Sequence, residues 1–209
     1  MRQAEDRRHL IFIRHGQSLH SQRQILAGVA NCPGLTPHGR TQAHDLATQL
    51  LQICGAPDAI DSSPVARARE TAEIVRETLA LNLPIDDDAR LSEPSPGTAD
   101  GLSLIDYEAQ FGTFDMQTEP DRLLAPGGES WRQFLARVDD FVAERSIPDG
   151  THCRWIFTHA GFMVWLVRSL VGATATRLRL EFENCSMLHF EVSDGHWILR
   201  SYLPPDDVS

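Results

Sequence analysis

Apolar residues in this chain fall into short continuous runs and longer helical stripes, and the two kinds alternate. Residues 10–13 (LIFI) are consecutive apolar positions, a pattern that fits a strand covered on both faces in a parallel sheet. The run stops abruptly at Arg14-His15-Gly16. After a polar stretch to about residue 35, Thr36 is placed as an N-cap with Pro37 at the first helical position. Ala43, Leu46, Ala47, Leu50 and Cys54 then recur at helical spacing until Gly55. The theme repeats with a short strand at 59–61, Ser63 as cap, Pro64 at the helix start and a stripe of Val65, Ala68, Ala72, Val75 and Leu79. Ser130 and Gln133 stand in capping-box spacing ahead of Trp131, Phe134, Leu135, Val138, Phe141 and Val142. CRWIFTHAGFMVWLVRSLVG reads as another strand that passes through Thr158, His159 and Gly161 into an apolar helix. Two extended runs around Asp194-Gly195 read as a hairpin.

Strands alternating with amphipathic helices predict a layered α/β/α domain with a mainly parallel central sheet. No repeat or linker divides the chain, so residues 1–209 are expected to form one domain. Its one irregular region, at about 92–129, is rich in Pro, Gly and acidic residues around a short helix in LSLIDYEAQF. An insert of that length in a compact domain predicts a lid or binding loop over the site. Ligands of parallel sheets bind at the carboxyl ends of the strands. That rule sends RHG, SSPVAR and THAG to one edge.

Composition narrows the partners. With 209 residues, 42% of them hydrophobic, the chain can bury a core without staples, and a formal charge of −10 argues against nucleic acid or an anionic membrane as the main partner. A small anionic substrate would need a local island of Arg and His. Cys32, Cys54, Cys153 and Cys185 are scattered without a C-x-x-C pair, which predicts reduced thiols rather than a disulfide framework or a zinc site. The first apolar run is too short for a signal peptide or a membrane span. Both features lead to a cytoplasmic expectation. Asp86, Asp87 and Asp88 cannot all face one ion from a strand, so they are expected in a solvated turn or edge. Oligomeric state is open, a homodimer through the apolar C-terminal hairpin being one option.

The edge gathers Arg14, His15, Arg67, His159 and, from the insert, Glu93. Guanidinium forks match phosphate oxygens and offset charge in a phosphoryl transition state. An imidazole nitrogen can attack phosphorus and divide hydrolysis into two easier steps, and a carboxylic acid can protonate the departing alkoxide. Arg69 shares its helix with Glu73 and reads as a surface ion pair.

Taken together, RHG, SSPVARARETA, PGGESWRQFLARV and FTHAG, in that order over about residues 10–172, resemble the histidine phosphatase superfamily, the phosphoglycerate mutase-like proteins. The resemblance implies His15 as a nucleophile that becomes a phosphohistidine and His159 as the second pocket histidine. It further implies Glu93 as general acid and Arg14 and Arg67 as phosphate clamps, with Ala160 and Ser21 among the substrate-binding positions. It implies no metal and no organic cofactor. Two departures stand out, Gln17 where the family often has Glu and Ser21 where it often has Asn. The run Glu93-Pro94-Ser95-Pro96-Gly97 also lacks the Arg and Tyr of the cofactor-dependent mutases. The expected activity is therefore hydrolysis of a small-molecule phosphate monoester. A mutase-type isomerase, or a catalytically weak phospholigand-binding module, are the alternatives.

Overall fold

The first apolar run forms strand β1 (Arg8–Arg14), and the alternation of its side chains sets the architecture. Successive strand residues point to opposite faces, so Leu10 and Phe12 enter one core while Ile11 and Ile13 enter another. A strand so lined must be covered on both sides. The computed structural model describes residues 7–113, 115, 118–172 and 179–205, apart from the side chain of Cys54. Within them, β1 is followed by α1 (Leu19–Arg23), α2 (Pro37–Cys54), β2 (Ala59–Ser62), α3 (Ala66–Thr78) and β3 (Ile85–Asp87). Next come α4 (Leu104–Phe111), α5 (Trp131–Arg145), β4 (Cys153–Thr158), α6 (Ala160–Val171), β5 (Met187–Ser193) and β6 (His196–Leu203).

The sheet runs β3-β2-β4-β1-β5-β6. Its first four strands are mutually parallel, and β5 and β6 add an antiparallel hairpin on the far side of β1. Phe134, Val138 and Phe141 of α5 and Phe162, Met163 and Leu166 of α6 cover the face presented by Phe12 and Ile156. Leu46 and Leu50 of α2 and Ala72 and Val75 of α3 cover the face of Ile11, Trp155 and Phe157. The layered α/β/α expectation is met.

The helix ends follow their sequence signals. Thr36 Oγ1 accepts the Gly39 N–H at 2.9 Å ahead of Pro37, and Ser130 and Gln133 close a reciprocal capping box. Asp194 and Gly195 both take positive φ, as a two-residue hairpin turn demands. Arg69 lies between Glu73 and Asp87, tying α3 to β3, and Asp86 and Asp87 are on the exposed sheet edge.

Three expectations need correction. The stretch after His15 is not all loop, since Leu19–Arg23 forms a five-residue helix too short for periodicity to reveal. Ser63 does not cap α3. The helix starts at Ala66 with Val65 as its N-cap, and the Ser63 hydroxyl accepts the Val65 N–H at 3.3 Å ahead of it and also bonds Ser92 and His159. Finally, Cys32 and Cys185 are free, but Cys153 is disulfide-bonded, because the fold and not the spacing decides which thiols meet. The reduced-thiol reading fails there, and its support for a reducing compartment goes with it. The Cys54 side chain, like residues 114, 116 and 117 of the insert, lies outside the described residues. No helix among the described residues is long and apolar enough to cross a membrane.

Candidate active site

Parallel pairing brings three strand ends to one place. Arg14 is in register with Thr158, and Ser62 with Phe157, so the residues that follow emerge side by side. The His15 N–H donates to Thr158 O at 3.1 Å and the Ser63 N–H to Phe157 O at 2.9 Å. His15 and His159 face each other with ring centroids 5.1 Å apart. Gly16 is required by packing, because a Cβ there would stand 2.5 Å from Gly39 O at the start of α2. The Gly16 N–H donates to Thr71 Oγ1, which itself donates to Arg67 O, so the loop after β1 is tied to α3.

The hydrogen bonds of His15 define its protonation. A carbonyl can only accept, so Nδ1 carries the proton it donates to Gly16 O at 2.7 Å. Arginine can only donate, so Nε2 is the acceptor for Arg67 Nε at 3.0 Å. The atom beside the guanidinium is therefore a bare imidazole nitrogen. Burial, followed by the positive fields of Arg67 and Arg14, pushes the His15 pKa well below 6.5. The ring is neutral at pH 7.

Arg67, 2% exposed, also donates to Ala27 O at 2.8 Å and to Cys32 Sγ at 3.5 Å. Arg14 reaches the carbonyl of Phe182, while Asn184 Nδ2 donates to His15 O, so the segment before β5 braces the end of β1. His159 is fully buried. One ring nitrogen, Nε2, is 2.9 Å from Ser63 Oγ, and Nδ1 has no partner among the described residues. Burial and Arg67 drive its pKa well down as well.

Glu93 arrives by a separate route. After β3, Asp88 Oδ1 caps a 3-10 turn at Ala89–Leu91, and the Thr158 hydroxyl donates to the carbonyl of buried Leu91. Two residues on, Glu93 Oε1 accepts the Gly161 N–H at 2.9 Å in the first turn of α6. A Cβ at position 161 would collide with both carboxylate oxygens. Glycine there is the condition for the carboxylate to sit at the cleft.

Arg14, His15, Arg67, Glu93, Ser21 and Ala160 all line one cleft of about 530 Å³. His159 lies behind it, against His15. Ser21 is only at the rim, exposed, and 3.4 Å from both Ser18 Oγ and His20 Nε2. Gln17 does not line the cleft. Its amide oxygen accepts from Thr36 Oγ1 at 2.8 Å, holding α2 to the loop.

Sequence reasoning passed over two polar residues here. Ser63 is the partner of His159. His20 lines the cleft, with Nδ1 2.6 Å from Ser18 Oγ and its ring 6.1 Å from that of His15. Burial and the two arginines lower its pKa to about 4. The outer cleft is lined instead by Ile25, Leu26, Ala27, Pro94, Pro96, Leu104 and Leu124, with Gln24 among them. Among the described residues, no group of three or more metal-ligating side chains comes together.

Known proteins carry the same pattern. Residues 10–203 match the sequence profile of the histidine phosphatase superfamily (branch 1). A 2,3-bisphosphoglycerate-dependent phosphoglycerate mutase of Azorhizobium caulinodans is 30% identical over 142 residues, 66% of this chain and 68% of its own length. Among solved structures, the α-ribazole phosphatase of Shigella flexneri shares the fold, with a TM-score of 0.80 at 24% identity over 94% of this chain and 96% of that one. A mycobacterial glucosyl-3-phosphoglycerate phosphatase, solved with VO3, is similar at 26% identity and a TM-score of 0.71, over 94% of this chain and 99% of that one.

Proposed function

Because this chain belongs to the histidine phosphatase superfamily, whose members are phosphatases or mutases, we propose that it hydrolyses small-molecule phosphate monoesters through a phosphohistidine on His15. The observation that carries the proposal is the state of that ring. Nε2 is unprotonated, buried, and held by an arginine at the floor of a cleft that also holds a second arginine and a carboxyl group.

In the first step Nε2 attacks phosphorus and the ester P–O bond breaks, with Glu93 as the acid that gives its proton to the departing alkoxide. Arg67 Nε exchanges the ring nitrogen for a phosphoryl oxygen as the new N–P bond forms, and Arg14 and Arg67 offset the spreading charge. The unpartnered Nδ1 of His159 fits a second oxygen contact, with Ser63 fixing the ring. In the second step Glu93 takes a proton from water, whose oxygen displaces the histidine and releases inorganic phosphate. The names of the mycobacterial and Shigella neighbours support the hydrolase side of the family. No step uses a metal.

The test is hydrolysis of an aryl phosphate by purified protein in excess chelator, beside His15→Ala. Chelator-resistant turnover that falls by about 10³-fold or more in a folded His15→Ala protein is expected from loss of a covalent nucleophile. Turnover retained by that variant would rule out His15.

A further inference from the structure

We infer that the leaving group this cleft selects is an uncharged, largely apolar alcohol whose alkyl or aromatic body lies against Ile25, Leu26, Leu104, Leu124, Pro94 and Pro96. The inference rests on the phosphatase reading above and deepens it.

Charge is the first argument. Both arginines of the cleft are at its inner end, where Arg67 holds His15 and Ala27 and Arg14 holds Phe182. No other cation with a fixed charge lines the cleft among the described residues. His20 is neutral above about pH 4, His15 is a neutral ring held by Arg67, and the last ionisable lining group, Glu93, is a carboxyl. A leaving group carrying a carboxylate or a second phosphate would be desolvated against leucines with only the neutral side chains of Ser21, Gln24 and His20, and no further cation among the described residues, to offset its charge. The net charge of −10 opposes polyanions at long range too.

Shape is the second. The apolar wall is built before any ligand arrives. The Leu26 N–H donates to Leu102 O at 2.8 Å, the Gly101 N–H to Leu26 O at 2.8 Å and the Leu104 N–H to Gln24 O at 2.9 Å. The carboxylate of Asp100 takes the N–H groups of Gly28 and Ala30. Leu26 and Leu102 also pack on Ala99, Tyr107 and Ala125, a small core belonging to the insert. Leu104 nevertheless stays 42% exposed, apolar area that a bound hydrocarbon would cover. A cleft of about 530 Å³ exceeds what a phosphoryl group fills and lies in the range of sites for drug-sized ligands.

The experiment compares ligands of equal headgroup. Calorimetric binding of ethyl-, hexyl- and 5-carboxypentylphosphonate to the wild-type protein is measured beside kcat/KM for the matching phosphate esters, whose alkoxide leaving groups are similar. Each fully buried methylene is worth about fourfold in affinity. On this half-open wall the hexyl compounds are expected to exceed the ethyl by at least about tenfold, and the carboxylated ones to give no gain over ethyl. Leu104→Arg should narrow the hexyl-to-carboxypentyl gap by about tenfold. Equal binding of hexyl and ethyl, a carboxylated ligand as tight as hexyl, or an unchanged gap in Leu104→Arg would overturn the inference. Preference in phosphonate binding without turnover of any ester would sink the phosphatase reading, and the leaving-group assignment with it, while still showing that the cleft prefers an apolar body. Turnover without preference would overturn the inference and leave the phosphatase reading standing.

Discussion

A single hydrogen atom on Gly161 decides whether the proposed acid of this site, Glu93, has a place. The Glu93 carboxylate is against that glycine and takes its N–H, and any side chain at 161 would occupy the same space. Gly161→Ala is at a helical position that accepts alanine, and Glu93 is a flexible side chain, so stability should change by less than about 1 kcal/mol. Turnover should fall by about 10²-fold, and further on alkyl than on aryl phosphates, because a poor leaving group depends more on the proton. Equal activity of Gly161→Ala and wild type on an alkyl ester would show that Glu93 is not the acid. Arg14, His15 and Arg67 stand out in the sequence as candidates because they lie at or soon after the carboxyl ends of strands and carry chemistry matched to phosphate. His20 does not, since a lone histidine in a polar stretch has no spacing to mark it. Ser63 was read as a helix cap because cap and ligand roles use the same hydroxyl.

At the scale of elements, what was legible depended on length. The stripes of α2 and α5 run for 18 and 15 residues and carry N-terminal caps, so period and boundary agree in both. By contrast α1 has five residues and β3 three, which is less than two turns or two full strand repeats. Yet these short pieces shape the site. α1 carries His20 and Ser21 to the rim, and β3 pairs with β2 so that the chain turns back toward Glu93. For the insert at about 92–129, sequence pattern gives the expectation of a lid or binding loop, and not how it meets the rest of the chain. Its contribution is a backbone pairing of residues 101–104 with 24–26, a contact between distant segments that neither pattern contains.

At the scale of the whole molecule, the site leaves a signature in stability. His15, His20 and His159 have folded pKa values below 6.5, that of His20 at about 4, all led by burial. Below pH 6.5 the unfolded chain binds protons that these folded rings refuse, so stability falls as pH falls from about 6.5 toward 4, by up to about 1.4 kcal/mol per pH unit per ring. Asp61, held above its ordinary 3.8 by burial despite Arg154 and Arg145, acts in the opposite sense, while His189, also lowered by burial, adds to the three rings. The urea midpoint is expected to be higher at pH 7.5 than at pH 5. A midpoint that is flat or rises on acidification would contradict buried neutral histidines. The same neutrality underlies the proposal of His15 as nucleophile, so the central claim is the bond between its Nε2 and phosphorus. The most direct measurement mixes the protein with a radiolabelled phosphate ester, quenches into alkaline denaturant, which preserves an N–P bond, and maps the label by mass spectrometry. The expected result is label on His15 alone and none in His15→Ala. Label on another residue, or undiminished labelling of His15→Ala, would contradict it.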